Sequence, residues 1–214
     1  MLSRRLLRIK VAKNLYAHLK SDSTNLKASE KNLIASIDKA YDLYFQMLSL
    51  IVEVARYAES RQELAKQKKL PTYEDLNPNR RFVDNAVITL IKNSESVNDE
   101  IAMRKISWAQ NPDIIKDIYN RLIESDYYKK YMSASVSTFT DDRKFVEAFF
   151  IALDEDEALA DVVDDMSLLW NDDLSFALYM AIRTVSTLKQ SHTDVKILPQ
   201  FKSEDDLEFA RQLF

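Results

Sequence analysis

ASEKNLIASIDKAYDLYFQMLSLIVEVARYAESRQELAKQ, residues 28–67, carries Leu33, Ile37, Tyr41, Tyr44, Leu48, Ile51, Val52 and Ala55 at steps of three and four. At 3.6 residues per turn those positions share one side of a helix, and a repeat of that length predicts the longest helix of the chain. Strands would need alternation at a period of two, which this stretch does not show. Its reading sets the fold class as all-α.

The remaining composition agrees. The 214 residues contain no glycine and no cysteine. Without glycine there can be neither a Walker loop nor a dinucleotide fingerprint, since both need close backbone approach to phosphate. Tight hairpin turns also lose their usual residue, which argues against all-β and α/β folds. Without cysteine, disulfides, thiol catalysis and thiolate metal sites are excluded. Hydrophobic residues at 46% and charged residues at 30% are ordinary globular usage, and at this length roughly 70% of the unfolded surface can be buried. Apolar runs such as SLIVEVA, AVITLI and FFIAL are too short to span a bilayer.

Outward from the long helix, the pattern predicts a helical bundle. An opening helix runs from about Ser3, its cap, to about Lys20, and SDSTNLKAS then breaks the periodicity. KKLPTYEDLNPN reads as a surface loop, and NRRFVDNAVITLIKN resumes a helical stripe. Asn111 and Pro112 open DIIKDIYNRLIESDYYKKYM, and SASVSTFT reads as a loop or short extended piece. Two or three helices follow through DDRKFVEAFFIALDEDEALADVVDDMSLLW and NDDLSFALYMAIRTVSTLKQ, the last opened by Asn171 and Asp172. After KILPQFKS, Asp205 or Ser203 caps a segment, DDLEFARQLF, that breaks off on an apolar face, so the expectation is a piece of a longer protein.

The chain carries 34 acidic and 30 basic residues, yet SRRLLRIKVAKNLYAHLKS, residues 3–21, holds Arg4, Arg5, Arg8, Lys10, Lys13 and Lys20 with no acid. On a helical projection Leu7, Val11, Leu15, Leu19, Ala12 and Tyr16 fall in one arc with Arg4, Arg5 and Arg8, and Lys10 and Lys13 fall on the opposite, solvated side. Unpaired arginine is costly to bury, so the first turns are expected to project beyond the core. Arginine forks suit phosphate oxygens and stack on bases, which fits single-stranded nucleic acid. A solvated surface, an organelle transit peptide and a helix lying on an anionic membrane fit the same charge pattern.

These residues resemble the family of the transcription antitermination factor NusB. That family opens with an arginine cluster and a motif ending Ala-Leu-Tyr, and RRLLR at 4–8 followed by NLY at 14–16 is similar. The long form of the family resembles this chain, in order, through SIDKAYDLY (36–44), LPTYEDLNPNRRFVDN (70–85), LIESDYYKKYM (122–132) and WNDDLSFAL (170–178). The resemblance divides the chain into a basic helix at 1–21, an inserted helical region at 22–202, and at 203–214 the re-entry into the shared domain. It implies a cytoplasmic, non-catalytic RNA-binding protein with no cofactor, metal, membrane or small-molecule substrate. Its partners would be box A RNA of nascent transcripts such as ribosomal RNA leaders, the ribosomal protein acting as NusE, and, indirectly, RNA polymerase. The RNA-contact role falls on Arg4, Arg5 and Arg8, with Lys13 and Tyr16 in the same site; Tyr16 also suits a core position. Asn14 and Lys13 depart from the family, which there has alanine and often glutamine. A helical protein-interaction scaffold without RNA is the other class that fits.

Other constellations read as structural. Asp154–Asp165 packs seven acids into twelve positions but lacks the glycine and ligand spacing of a calcium loop, so it reads as a solvated helix face. The two histidines, His18 and His192, lie outside any metal motif. Tyr41, Tyr44 and Phe45 at helical spacing predict core packing, and Trp108 and Trp170 predict inter-helix anchors.

Overall fold

The long run forms one helix, α2 (Leu26–Lys66), of 41 residues, about 60 Å in length. This is a computed structural model, and it describes residues 1–21, 25–136 and 138–214. Around α2 stand α1 (Arg4–Lys20), α3 (Tyr73–Leu76), α4 (Ala86–Asn93), α5 (Glu95–Arg104), α6 (Pro112–Glu124), α7 (Asp126–Ser133), α8 (Phe139–Ala152), α9 (Glu157–Met166), α10 (Leu174–Ser186) and α11 (Asp206–Leu213). A single 3-10 turn, Leu168–Trp170, precedes α10. Among the described residues the one β contact is a parallel bridge between Leu2 and Phe201. The all-α bundle is therefore the fold.

One buried face was expected of α2, and its middle is buried all round. Every residue from 40 to 48 is buried, because α1, α4, α5, α6 and α10 surround the helix. Polar groups drawn into this centre are paired. Asp42 accepts from Arg104 and Lys39, each at 2.7 Å, and Tyr44 Oη meets Thr184 Oγ1 at 2.7 Å. Tyr41, Tyr44 and Phe45 pack on one another at ring distances of 4.8–5.7 Å. They are core, as their spacing predicts. Both tryptophans are anchors too: Trp108 Nε1 donates to the Gln46 carbonyl and Trp170 Nε1 to the Lys39 carbonyl.

Several boundaries differ from the sequence reading. The loop KKLPTYEDLNPN contains the one-turn helix α3, closed by a capping box between Thr72 and Asp75. The segment beginning at Pro112 is two helices, because Ser125 ends α6 and caps α7 with its hydroxyl. Helix α10 starts one residue after Asp173 rather than at Asn171 and Asp172; Asp172 lies in the left-handed region at φ 65°, a conformation Asp tolerates better than most residues. The breaks expected in SDSTNLKAS and SASVSTFT fall partly on residues 22–24 and 137, outside the described residues.

Two cores organise the bundle. The larger joins the middle of α2 to α4, α6, α8 and α10. A smaller one collects Leu2, Leu7, Val11, Leu33, Ile37, Ala40 and Ala210. Segments 1–21 and 203–214, distant in sequence, thus share one apolar cluster with the first half of α2.

Candidate nucleic-acid interface

Helix α1 starts where Ser3 places its hydroxyl to accept from the Leu6 N–H at 3.2 Å. Leu7 and Val11 face the small core. Successive residues turn by about 100°, so Lys10 and Asn14 flank that apolar line on one side and Arg4, Leu15 and Arg8 flank it on the other.

Lys10 is not solvated. Its Nζ donates to Asp173 Oδ2 at 2.6 Å, with 6% and 3% of the two side chains exposed. Its Cα lies beside the Leu7–Val11 line, so the stem packs inward and the ammonium needs a carboxylate there. Burial pushes the Asp173 carboxyl above its ordinary range, against the pull of Lys10 and Lys13. Lys13 also has a partner, donating to Asp172 Oδ2 at 2.6 Å and to the Asn171 carbonyl. The turn at 171–173, expected to open a helix, thus hands consecutive carboxylates to two lysines of α1.

The arginine flank meets α11. Arg4 Nε donates to Asp206 Oδ1 at 3.1 Å, and the guanidinium carbons of Arg4 and Arg8 stand 4.7 and 5.4 Å from the Phe209 ring centre. Burial raises the Asp206 carboxyl, but hydrogen bonds from Arg4 and from the Ser203 N–H, with the Arg4 charge, outweigh it and hold the group below the usual carboxylate range. No local signal marks Phe209's role, since cation and ring are about 200 residues apart.

What is left is the outer side. Arg5 and Arg8 are exposed and make no ion pair among the described residues. Tyr16 is 65% exposed, with Lys20 Nζ 5.8 Å from its ring centre. Tyr16, Ala12 and Leu19, expected in the core arc, therefore face solvent. The apolar line is narrower than the projection implied, because Lys10 takes the place of a hydrophobic flank. Of the five predicted contact residues, Arg5, Arg8 and Tyr16 share an open surface, Arg4 is half committed to α11, and Lys13 is exposed, as expected, but paired with the exposed Asp172. Lys20, one of the basic residues of the segment but not among the predicted contacts, joins them at a helical i, i+4 spacing from Tyr16 that could have marked it.

The remaining candidates are structural. His18 Nδ1 lies 2.8 Å from Ser29 Oγ, tying α1 to α2. In the acidic run Asp156 caps α9 and pairs with Arg121. No cluster of three or more metal-ligating side chains occurs among the described residues, and no described helix is long and apolar enough to cross a membrane. No protein family, curated protein or solved structure matches the chain.

Proposed function

We propose that the protein binds single-stranded RNA along the outer side of α1 and acts as an antitermination factor of the NusB type. The observation that carries the reading is the juxtaposition of Arg5, Arg8, Lys20 and the exposed Tyr16 ring on one helix with no acid of its own. Guanidinium and ammonium groups neutralise phosphates while an exposed ring accepts a stacked base, the two kinds of contact by which single strands are held. Phe209 supports this arrangement by fixing the approach of Arg4 and Arg8. Box A RNA and the ribosomal protein acting as NusE are the partners the sequence resemblance suggests, in the cytoplasm and with no chemical reaction assigned.

Fluorescence anisotropy of labelled box A RNA and a scrambled control, with and without purified NusE, tests the reading. Preference for box A supports it. Equal affinity for both RNAs removes the antitermination assignment, and no binding removes RNA altogether.

A second reading has one observation in its favour. A cavity of about 700 Å³ between α2, α4, α5 and α6, floored by Val52, Ile91, Trp108 and Ile115, is of a size that suits a ligand or peptide. A helical interaction scaffold would use such a cleft and show no preference among RNA sequences.

A further inference from the structure

Beside the outer side of α1 lies a recess of about 480 Å³ walled by α1, the end of α9 and the 168–173 turn. Its lips are apolar and unexplained by packing: Leu168 is 85% exposed, with Ile9 and Leu169 beside it also open to solvent. Deeper in, both amide hydrogens of Asn14 are used, on the Lys10 carbonyl at 3.0 Å and Ser36 Oγ at 3.3 Å. Asn14 Oδ1 is left as an acceptor. Asp164 is exposed and its carboxylate has no hydrogen-bond or ion-pair partner among the described residues.

The charges bordering the recess decide what can enter. Lys10 and Lys13 are each 2.6 Å from a carboxylate, and Asp164 adds a third, unpaired acid. The recess is therefore net negative and repels phosphate, while Arg5 and Arg8 lie outside it on the same helix. It offers acceptors between apolar lips, which suits a flat ring that carries N–H donors. Among the four RNA bases only guanine presents two adjacent N–H donors on its Watson–Crick edge, and an ionised carboxylate accepts such a pair in parallel.

Resting on the RNA reading above, we propose that this recess holds one guanine base turned out of the strand that α1 binds. Asp164 accepts from the base edge and Leu168 and Ile9 pack on its faces. The side chain of Asp164 thereby determines which base is preferred at that position.

The test uses the 214-residue protein and short labelled oligouridines with one central guanosine, with one central inosine, which lacks the 2-amino group, or with neither. The guanosine oligomer is expected to bind about tenfold more tightly than oligouridine, with inosine between them. Asp164→Asn should abolish that ratio, and Leu168→Ser should reduce it. Both side chains are exposed, so circular dichroism should show unchanged folding. Equal affinity for the three oligomers, or a guanosine preference that survives Asp164→Asn, overturns the guanine site and leaves the RNA reading standing. Failure of every oligomer to bind overturns both.

Discussion

Replacing Lys10 by Met would strip the ammonium from the Lys10–Asp173 pair while keeping the apolar stem volume. Both side chains are almost wholly buried and the contact is 2.6 Å, so the substitution leaves a carboxylate stranded out of water. Breaking a buried pair from one side costs about 3–5 kcal/mol, or roughly 10 °C in Tm for a chain of this size. The pH dependence has a definite sign. Burial already holds the Asp173 carboxyl above its unfolded value of about 3.9, so what this group contributes to stability is present below that pH and lost as pH rises through the folded value. Lys10 opposes the upward shift, and without it the folded value climbs further. Urea denaturation should show the full deficit near neutral pH and a smaller one at about pH 5. A second variant, Lys10→Met with Asp173→Leu, should recover most of the loss, since an apolar pair of similar volume replaces ions at little cost. Asp173 makes no side-chain cap to α10, so no cap is lost. A neutral-pH deficit under about 1 kcal/mol, or one unchanged at acid pH, would refute the claim that this pair is dry and binds α1 to the 171–173 turn.

Removing Arg5 and Arg8 together should lower the salt slope of RNA binding by about 1.4, at roughly 0.7 per single-strand phosphate contact, while Arg4→Ala changes it less because Asp206 already engages that side chain; titrations at several salt concentrations read this directly. Tyr16→Ala should weaken RNA binding roughly tenfold through lost stacking and leave Tm unchanged, because the ring is solvent-exposed. Asp194 accepts from Ser94 and Ser96 at the start of α5, and Asp194→Ala should cost about 2 kcal/mol at neutral pH. Hydrogen bonds from Ser94 and Ser96 hold that carboxyl below its ordinary range, so its contribution is present above about pH 4 and lost as pH falls through the folded value; the gap between wild type and variant in urea should close in acid.

The fold was legible wherever local signals act alone. Spacing alone marks α2, and Ser3 and the Asn111–Pro112 pair mark helix starts that are found where expected. Burial of α2 on all sides was not legible, because the polar positions on its far side are satisfied by Arg104, Thr184 and Ser107 from distant segments. The same cause inverted the reading of α1. A projection ranks lysine as solvated, and nothing near Lys10 in sequence announces a carboxylate 163 residues later. The NDD motif at 171–173 resembles a helix start for the ordinary reason that Asn and Asp cap helices. Here Asp172 takes a left-handed backbone and both acids turn to α1 instead.

On the proposed RNA reading, the acid-free opening segment carries charge for two purposes. Lys10, Lys13 and Arg4 are each matched by a carboxylate of another segment, Asp173, Asp172 and Asp206, and these contacts clamp α1 from both flanks while Leu7 and Val11 seat it on the small core. The clamping is what would make the outer side useful. A cationic strip on a mobile helix must lose side-chain and helix freedom on each encounter, whereas a strip fixed from both sides presents Arg5, Arg8 and Tyr16 already in place. An acidic protein can in this way keep a locally positive face: its carboxylates are spent on the flanks and recess of α1, where they hold the helix, and are absent from the helix surface itself, where they would repel a phosphate strand.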